Sequence, residues 1–242
     1  DADTVIYADV AELYDADLGG NPLGAVRDVS VLSSLIAGYP RLQLRKLEPL
    51  GLSNPRHYFN SGVLVLDLAL IRAENAEPRL LQVIEEYNEQ LEHPDQDALN
   101  IVFHDRISPL PVEWNYHFQF ELKKDGLEAA AEGTEFSGIS TIYANRSWKL
   151  FHMIGSKKPW LQPEKTEEYL MSTNVWWEAA METPSHQPYV KNLLDEFTRW
   201  TRKQLRYNQW HLPFSFGKNF RKRQKRIRLL KRLLHAFENG RA

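Results

Sequence analysis

Apolar residues in the first half of the chain fall in short β-branched or aromatic runs between turn residues. In the second half they recur at helical spacing. "TVIYADV" (Thr4–Val10) predicts a strand entering a turn, and "NPLGAVRD" (Asn21–Asp28) a turn followed by a short strand. In "HYFNSGVLVLDL" (His57–Leu68) the run Val63–Leu66 is nearly continuous, the pattern of a strand buried on both faces. Glu77–Leu91 predicts a helix with Leu80, Leu81, Ile84 and Tyr87 on one face and Pro78 in its first turn. "PDQDALNIVFHD" predicts a second helix, with Pro94 and Asp95 near its start. "RISPLPVEW" is short and extended, and the polar, Gly-punctuated stretch Lys123–Ser137 reads as a loop or insertion. "SWKLFHMIG" (Ser147–Gly155) predicts a strand running into a Gly turn, and from Glu164 the pattern is helical and aromatic-rich. The alternation is that of an α/β chain, without internal repeats.

Composition narrows the function classes. The 242 residues suffice for a sizeable core in one domain plus an appendage, or two small domains. With no cysteine, disulfide frameworks and thiolate metal sites are excluded, which fits a reducing cytoplasm. No apolar run approaches the roughly 20 residues that cross a bilayer as a helix. The net charge of −2 hides a sharp asymmetry. From Arg199 onward there are 14 Lys/Arg and one acid, Glu238, whereas the preceding residues carry 16 bases and 31 acids. Such a distribution is explained by partners rather than by fold.

Two clusters carry candidate chemistry. "DADTV" opens the chain with Asp1 and Asp3, two carboxylates able to share a hard divalent cation, Mg²⁺ or Mn²⁺. His152, in "FHMIGSKKPW", is the candidate third ligand. Gly155 lets backbone N–H groups approach a diphosphate, and Lys158 supplies positive charge. A half-buried structural histidine beside solvated lysines is the competing explanation. In "HPDQDALN", Asp95, Gln96 and Asp97 begin a helix, where carboxylates suit the N-terminal dipole. Capping does not require Gln96, whose amide can face a polar ligand. "YFNSG" sets Asn60 and Ser61 at a strand mouth, where α/β proteins hold ligands, although Asn60 also suits a turn.

In order and spacing, "DADTVIYADVAELYDADLG", "GAVRD", "YFNSGVLVLDL", "DQDALN", "WNYH" and "HMIGSKKPW" resemble glycosyltransferase family 8. The likeness is to its bacterial lipopolysaccharide and lipooligosaccharide galactosyl- and glucosyltransferases, and covers Asp1 to Trp160. The resemblance implies a Rossmann-like nucleotide-sugar transferase fold, Mn²⁺ (with Mg²⁺ as the alternative), a UDP-hexose donor and retention at the transferred sugar. It implies that Asp1, Asp3 and His152 hold the metal and that Gly155 and Lys158 contact the diphosphate. It also implies that the Ala2 backbone meets the ribose and that Asp28, Asn60, Asp95 and Gln96 line the donor sugar, with Ser61 added as a donor-binding candidate from its strand-mouth position. By the same resemblance Gln96 is the side chain nearest the reacting face of the anomeric carbon, and Asp95 with the Gln96 carbonyl is the candidate catalytic pair that supplies oxygens there. The family carries a nucleotide-binding segment ahead of Asp-x-Asp, so these 242 residues are expected to be a fragment that lacks the first strands and is inactive or weakly active alone. Residues 1–163 are the catalytic portion, and 164–242 a helical, basic and aromatic region.

From Trp200 to Phe237 bases alternate with aromatics, and from Arg221 the apolar Ile227, Leu230, Leu233, Leu234 and Phe237 share a helix face. This predicts a basic amphipathic helix for an anionic membrane surface, with Trp210, Phe214, Phe216 and Phe220 at headgroup level. Nucleic-acid binding and packing on the body are the weaker alternatives, and no nucleic acid is expected. The sequence thus predicts an enzyme peripheral to the inner face of the cytoplasmic membrane, acting on a glycolipid or core oligosaccharide acceptor. A protein or glycogen-like acceptor, or a non-catalytic sugar- or membrane-binding remnant, is the alternative.

Overall fold

The computed structural model describes residues 1–28, 31, 47–52, 57–117, 138–155, 158, 175–176, 178–180, 182–183 and 187–238. They belong to two units, Asp1–His152 and Met153–Ala242. The predicted loop Lys123–Ser137 lies outside the described residues.

The first unit is α/β. Strand β1 (Thr4–Ile6) leads through the short helix α1 (Ala11–Tyr14) to β2 (Leu23–Arg27), and β3 (Phe59–Leu66) follows. Helices α2 (Leu68–Ala73), α3 (Ala76–Tyr87) and α4 (Pro94–Val102) precede β4 (Ile107–Pro109). Helix α5 (Ile139–Asn145) leads to β5 (Leu150–His152). β2 lies between β3, antiparallel to it, and β4, parallel to it. β1 and β5 pair antiparallel, with Thr4 opposite His152.

β3 is not buried on both faces. Phe59, Gly62 and Val63 are buried, Leu64 and Val65 half-buried, and Leu66 exposed. Among the described residues, the sheet ends at this strand. Its buried side packs with Leu23, Ala25, Ala76, Val102, Phe103 and Ile107, flanked by Leu64, Ile71, Leu80, Val83 and Leu99. Each such aliphatic or aromatic side chain larger than alanine contributes about 1.5–3 kcal/mol when removed from water. α3 turns Leu80, Val83, Ile84 and Tyr87 inward, at i, i+3, i+4 and i+7. Leu81, expected on that face, is 56% exposed: it lies one residue, about 100° of helix, beyond Leu80, and Val83 fills the seam instead. Another apolar group lies at the β1–β5 pair, where the Tyr116 ring stacks on Trp148 at 5.3 Å and Phe151 meets Trp148 edge-on.

In the second unit, α6 (Gln187–His211) and α7 (Gly217–Glu238) pack as a hairpin across a short turn. Phe197, Thr201 and Asn208 of α6 and Leu230 of α7 are buried. The apolar stripe of the predicted basic helix therefore faces α6 at Leu230, and the side chains of Leu233 and Phe237 lie outside the described residues. No described helix is long and apolar enough to cross a membrane.

Candidate functional site

The β1–β5 register sets His152 opposite Thr4, one residue past Asp3, so the imidazole faces the start of the chain. His152 Nε2 lies 3.2 Å from Asp1 Oδ2 and 3.3 Å from Asp3 Oδ1. These three residues offer ligand atoms within 4.8 Å of one another. The His152 side chain is buried, Asp3 is nearly so, and Asp1 is half exposed, giving the cluster one open side.

The other ring nitrogen decides what this cluster can do. His152 Nδ1 lies 2.7 Å from Asn115 Oδ1. Asn115 Nδ2 donates to Asn60 Oδ1 at 2.8 Å, so the Asn115 oxygen is the end that meets the ring. An oxygen there requires Nδ1 to carry the proton, which in the neutral ring leaves a lone pair on Nε2. A lone pair aimed at two carboxylate oxygens is repulsive unless a proton on Nε2 or a metal cation lies between them. The donor set of one imidazole nitrogen and two carboxylate oxygens therefore fits a divalent metal.

Backbone geometry holds the cluster. The Asp1 backbone nitrogen donates to Gly62 O at 2.7 Å, and Thr4 Oγ1 donates to Asp1 O at 3.0 Å. Gly62 is required by close approach: a Cβ there would lie 2.1 Å from His152 Cε1 and 2.9 Å from Asp1 Oδ2.

From Asn60 the network continues to the start of α4. Asn60 Nδ2 donates to Gln96 Oε1 at 3.1 Å and reaches Asp28 Oδ2 at 3.4 Å. Gln96 Nε2 donates to Asp28 Oδ2, and Gln96 Oε1 also accepts from the Ser61 backbone, both at 3.1 Å. Ser61 Oγ donates to the exposed Asp95 at 2.8 Å. The structure thus joins Asp1, Asp3 and His152, through Asn115, to Asn60, Ser61, Asp28, Asp95 and Gln96. Ala2 is exposed between the two aspartates. Gly155 and Lys158 belong to the second unit, where Gly155 has φ 86° and Lys158 Nζ donates to Met153 O at 2.8 Å.

The third residue of the acidic run does structural work. Asp97 is buried, accepts from the Glu92 and His93 backbones at 2.9 Å each, and takes a short hydrogen bond from the Tyr58 hydroxyl. Burial, and then the neighbouring Asp97, push the Tyr58 phenol far above its ordinary value, so it remains a donor. Asn100 ties α4 to β3, accepting from Phe59 N and donating to Phe59 O and Gln96 O, each at 2.8 Å. Sequence reasoning missed Asn115, Gly62 and Asn100 as site-building residues. The visible signals were "WNYH", "NSG" and the "DQDALN" asparagine one helical turn after Gln96.

Residues 1–164 match the sequence profile of the family described as Glycosyl transferase family 8. The chain belongs to that family. Curated relatives include General stress protein A of Bacillus subtilis, 25% identical over 183 residues, or 73% of this chain and 58% of that protein. The lipopolysaccharide 1,2-glucosyltransferase of Escherichia coli is 28% identical over 162 residues, 66% of this chain and 42% of its own length. The chain therefore spans little more than half of the first relative and less of the second. Among solved structures, the bifunctional glycosyltransferase WbbM superposes with TM-score 0.51 at 28% identity, over 66% of this chain and 28% of that one. The galactosyltransferase LgtC, solved with donor and acceptor sugar analogues, gives TM-score 0.50 at 21% identity, over 72% and 56% of the two chains. These likenesses carry the Rossmann-like α/β transferase fold expected from the sequence.

Proposed function

We propose that the chain is the catalytic portion of a metal-dependent, retaining hexosyltransferase. In this reading it moves galactose or glucose from a UDP-sugar to a lipopolysaccharide or lipooligosaccharide core acceptor. The observation that carries the reading is the hydrogen-bonded continuity from the Asp1–Asp3–His152 cluster to the amide of Gln96. Asp1, Asp3 and His152 would hold the ion, and the mixed nitrogen and oxygen donors favour Mn²⁺ over Mg²⁺. A bound divalent ion would stabilise the negative charge that develops on a leaving diphosphate. Gly155 and Lys158 are assigned to that diphosphate, the Ala2 backbone to the ribose, and Asp28, Asn60, Ser61, Asp95 and Gln96 to the sugar.

The state of Gln96 bears on the route. A carboxamide is a poor nucleophile, and Gln96 Oε1 already accepts two hydrogen bonds, which lowers its electron density further. A covalent intermediate on this side chain is therefore disfavoured against same-face substitution. In that step the anomeric carbon–phosphate oxygen bond breaks, the acceptor oxygen bonds to the same face, and the acceptor proton passes to the departing phosphate. Asp95 and Gln96 Oε1 supply oxygens beside the developing positive charge on the sugar.

Residues 164–242 form the membrane-facing region in this proposal, at the inner face of the cytoplasmic membrane. With Leu230 covered by α6, contact would come through the exposed Trp210, Phe214 and Phe216 of the hairpin turn, not through the apolar stripe of α7. The direct test is Mn²⁺-dependent UDP-galactose and UDP-glucose turnover by the intact protein and by its His152→Ala variant. Metal-dependent turnover lost in the variant supports the reading, and turnover that survives His152→Ala overturns it.

A further inference from the structure

The turn of the α6–α7 hairpin encloses a cavity of about 590 Å³. Its lining combines Lys222, Arg223 and Arg226 with the rings of Tyr207, Phe214 and Phe216. The Arg223 guanidinium stands over the Tyr207 ring at 5.6 Å, so its plane is held against an aromatic wall. Arg223 Nη1 is buried and has no hydrogen-bond partner among the described residues. A guanidinium N–H taken from water without an acceptor is costly, and an anionic oxygen is the group that satisfies it. From Arg199 onward the only carboxylate side chain, Glu238, is engaged by Arg202 at 2.7 Å. Among the described residues, no acid lines the cavity.

We propose that this cavity is a binding site for a phosphomonoester carried on a lipid headgroup. Three cations in one concave site match a doubly charged phosphate better than a dispersed negative surface does. The lipid source follows from the rim. Phe214 is 72% exposed and Phe216 82%, and a free phosphate would leave these rings in water. A headgroup in the cavity brings them to the acyl boundary, where aromatic rings are stable. The inference rests on the membrane reading above and sharpens it from a diffuse basic surface to one pocket.

The test compares flotation of the intact protein with three vesicle types: phosphatidylcholine alone, phosphatidylcholine with phosphatidic acid, and phosphatidylcholine with oleate at matched surface charge. The wild type is expected to prefer phosphatidic acid over oleate by about tenfold, the worth of one charge-assisted hydrogen bond. Arg223→Ala/Arg226→Ala abolishes that preference. Arg228→Ala/Arg232→Ala removes equal charge farther along α7, weakens binding to both anionic vesicles and keeps the preference. Arg223→Gln/Arg226→Gln replaces the alanine pair if that variant loses its helical circular dichroism. Equal binding of the wild type to both anionic vesicles, or equal loss of preference in both double variants, overturns the pocket and leaves the membrane reading standing. Failure of the wild type to bind any anionic vesicle removes the membrane reading itself. Release from phosphatidic acid vesicles by inorganic phosphate at its own binding concentration would assign the pocket to free phosphate and overturn the lipid source.

Discussion

Asn115 sits where two demands meet. Its oxygen fixes the tautomer of His152 and its amide nitrogen orients Asn60, so one planar group couples the proposed metal cluster to the amides assigned to the sugar. Removing it with Asn115→Ala is expected to lower Mn²⁺ affinity roughly 10–100-fold, the usual effect of losing a partner behind a ligating histidine. Asn115→Asp separates the two demands. A carboxylate still accepts from His152 Nδ1–H but offers no proton to Asn60. Mn²⁺ affinity, read by calorimetry, should then stay within about threefold of wild type while UDP-hexose turnover falls by roughly tenfold or more. Equal damage to affinity and turnover in the aspartate variant would show that Asn115 only packs. Gly62 tests the same cluster from the backbone side. A Cβ 2.1 Å from His152 Cε1 displaces the ring, so Gly62→Ala should lose Mn²⁺ binding about tenfold or more, even where circular dichroism shows a native fold.

At the scale of elements, the site depends on how α4 is fixed to β3. Asn100 joins the two by two buried hydrogen bonds to the Phe59 backbone and makes a third to Gln96 O within α4. Asn100→Ala leaves buried Phe59 backbone groups unpaired, and urea unfolding should register a loss of about 3 kcal/mol or more. Glu74 at the end of α2 and Arg106 before β4 form a second tie. The hydrogen bond from Arg106, and then its charge, hold the Glu74 carboxyl below its ordinary value. A carboxylate depressed in the folded state adds stability above its unfolded pKa, about 4.3, and loses it as pH falls through the folded value. Glu74→Gln should therefore lower the urea midpoint near neutral pH and converge with wild type in strong acid; a pH-independent difference would assign the loss to packing. The strands and α4 were legible because local patterning specifies them. Turn residues punctuate each short strand, and Pro94 with two following carboxylates marks the helix start. The one-sided burial of β3 was not legible, because "GVLVL" carries no record of which strands lie beside it. Asp1, Asp3 and His152 were readable as residue types with a metal in common. The Asn115 relay was not, since it joins residues 55 and 37 positions apart through side-chain amides with no periodicity.

For the whole molecule, the charge asymmetry separates the two proposed activities. An acidic first part carries the proposed metal cluster and a basic hairpin carries the proposed membrane contact, in different units. Their dependence on salt should differ in kind. Exposed bases act on an anionic surface through a screened potential, with a Debye length near 10 Å at 0.1 M salt and about 3 Å at 1 M. Chelation by a buried imidazole and two carboxylates works at contact distance and is screened much less. Raising salt from about 0.1 M to about 1 M should therefore release most protein from anionic vesicles while Mn²⁺ affinity falls by only a few-fold. The variants should divide along the same line. His152→Ala loses Mn²⁺ and keeps vesicle binding, and Arg223→Ala/Arg226→Ala loses the lipid preference and keeps Mn²⁺ affinity within about twofold, as expected of independent sites. Calorimetry with Mn²⁺ and flotation, run on the same preparations across the salt series, measure both. A tail variant that also lost Mn²⁺ would contradict this separation, because the basic hairpin would then be supporting the metal cluster rather than only its approach to a surface.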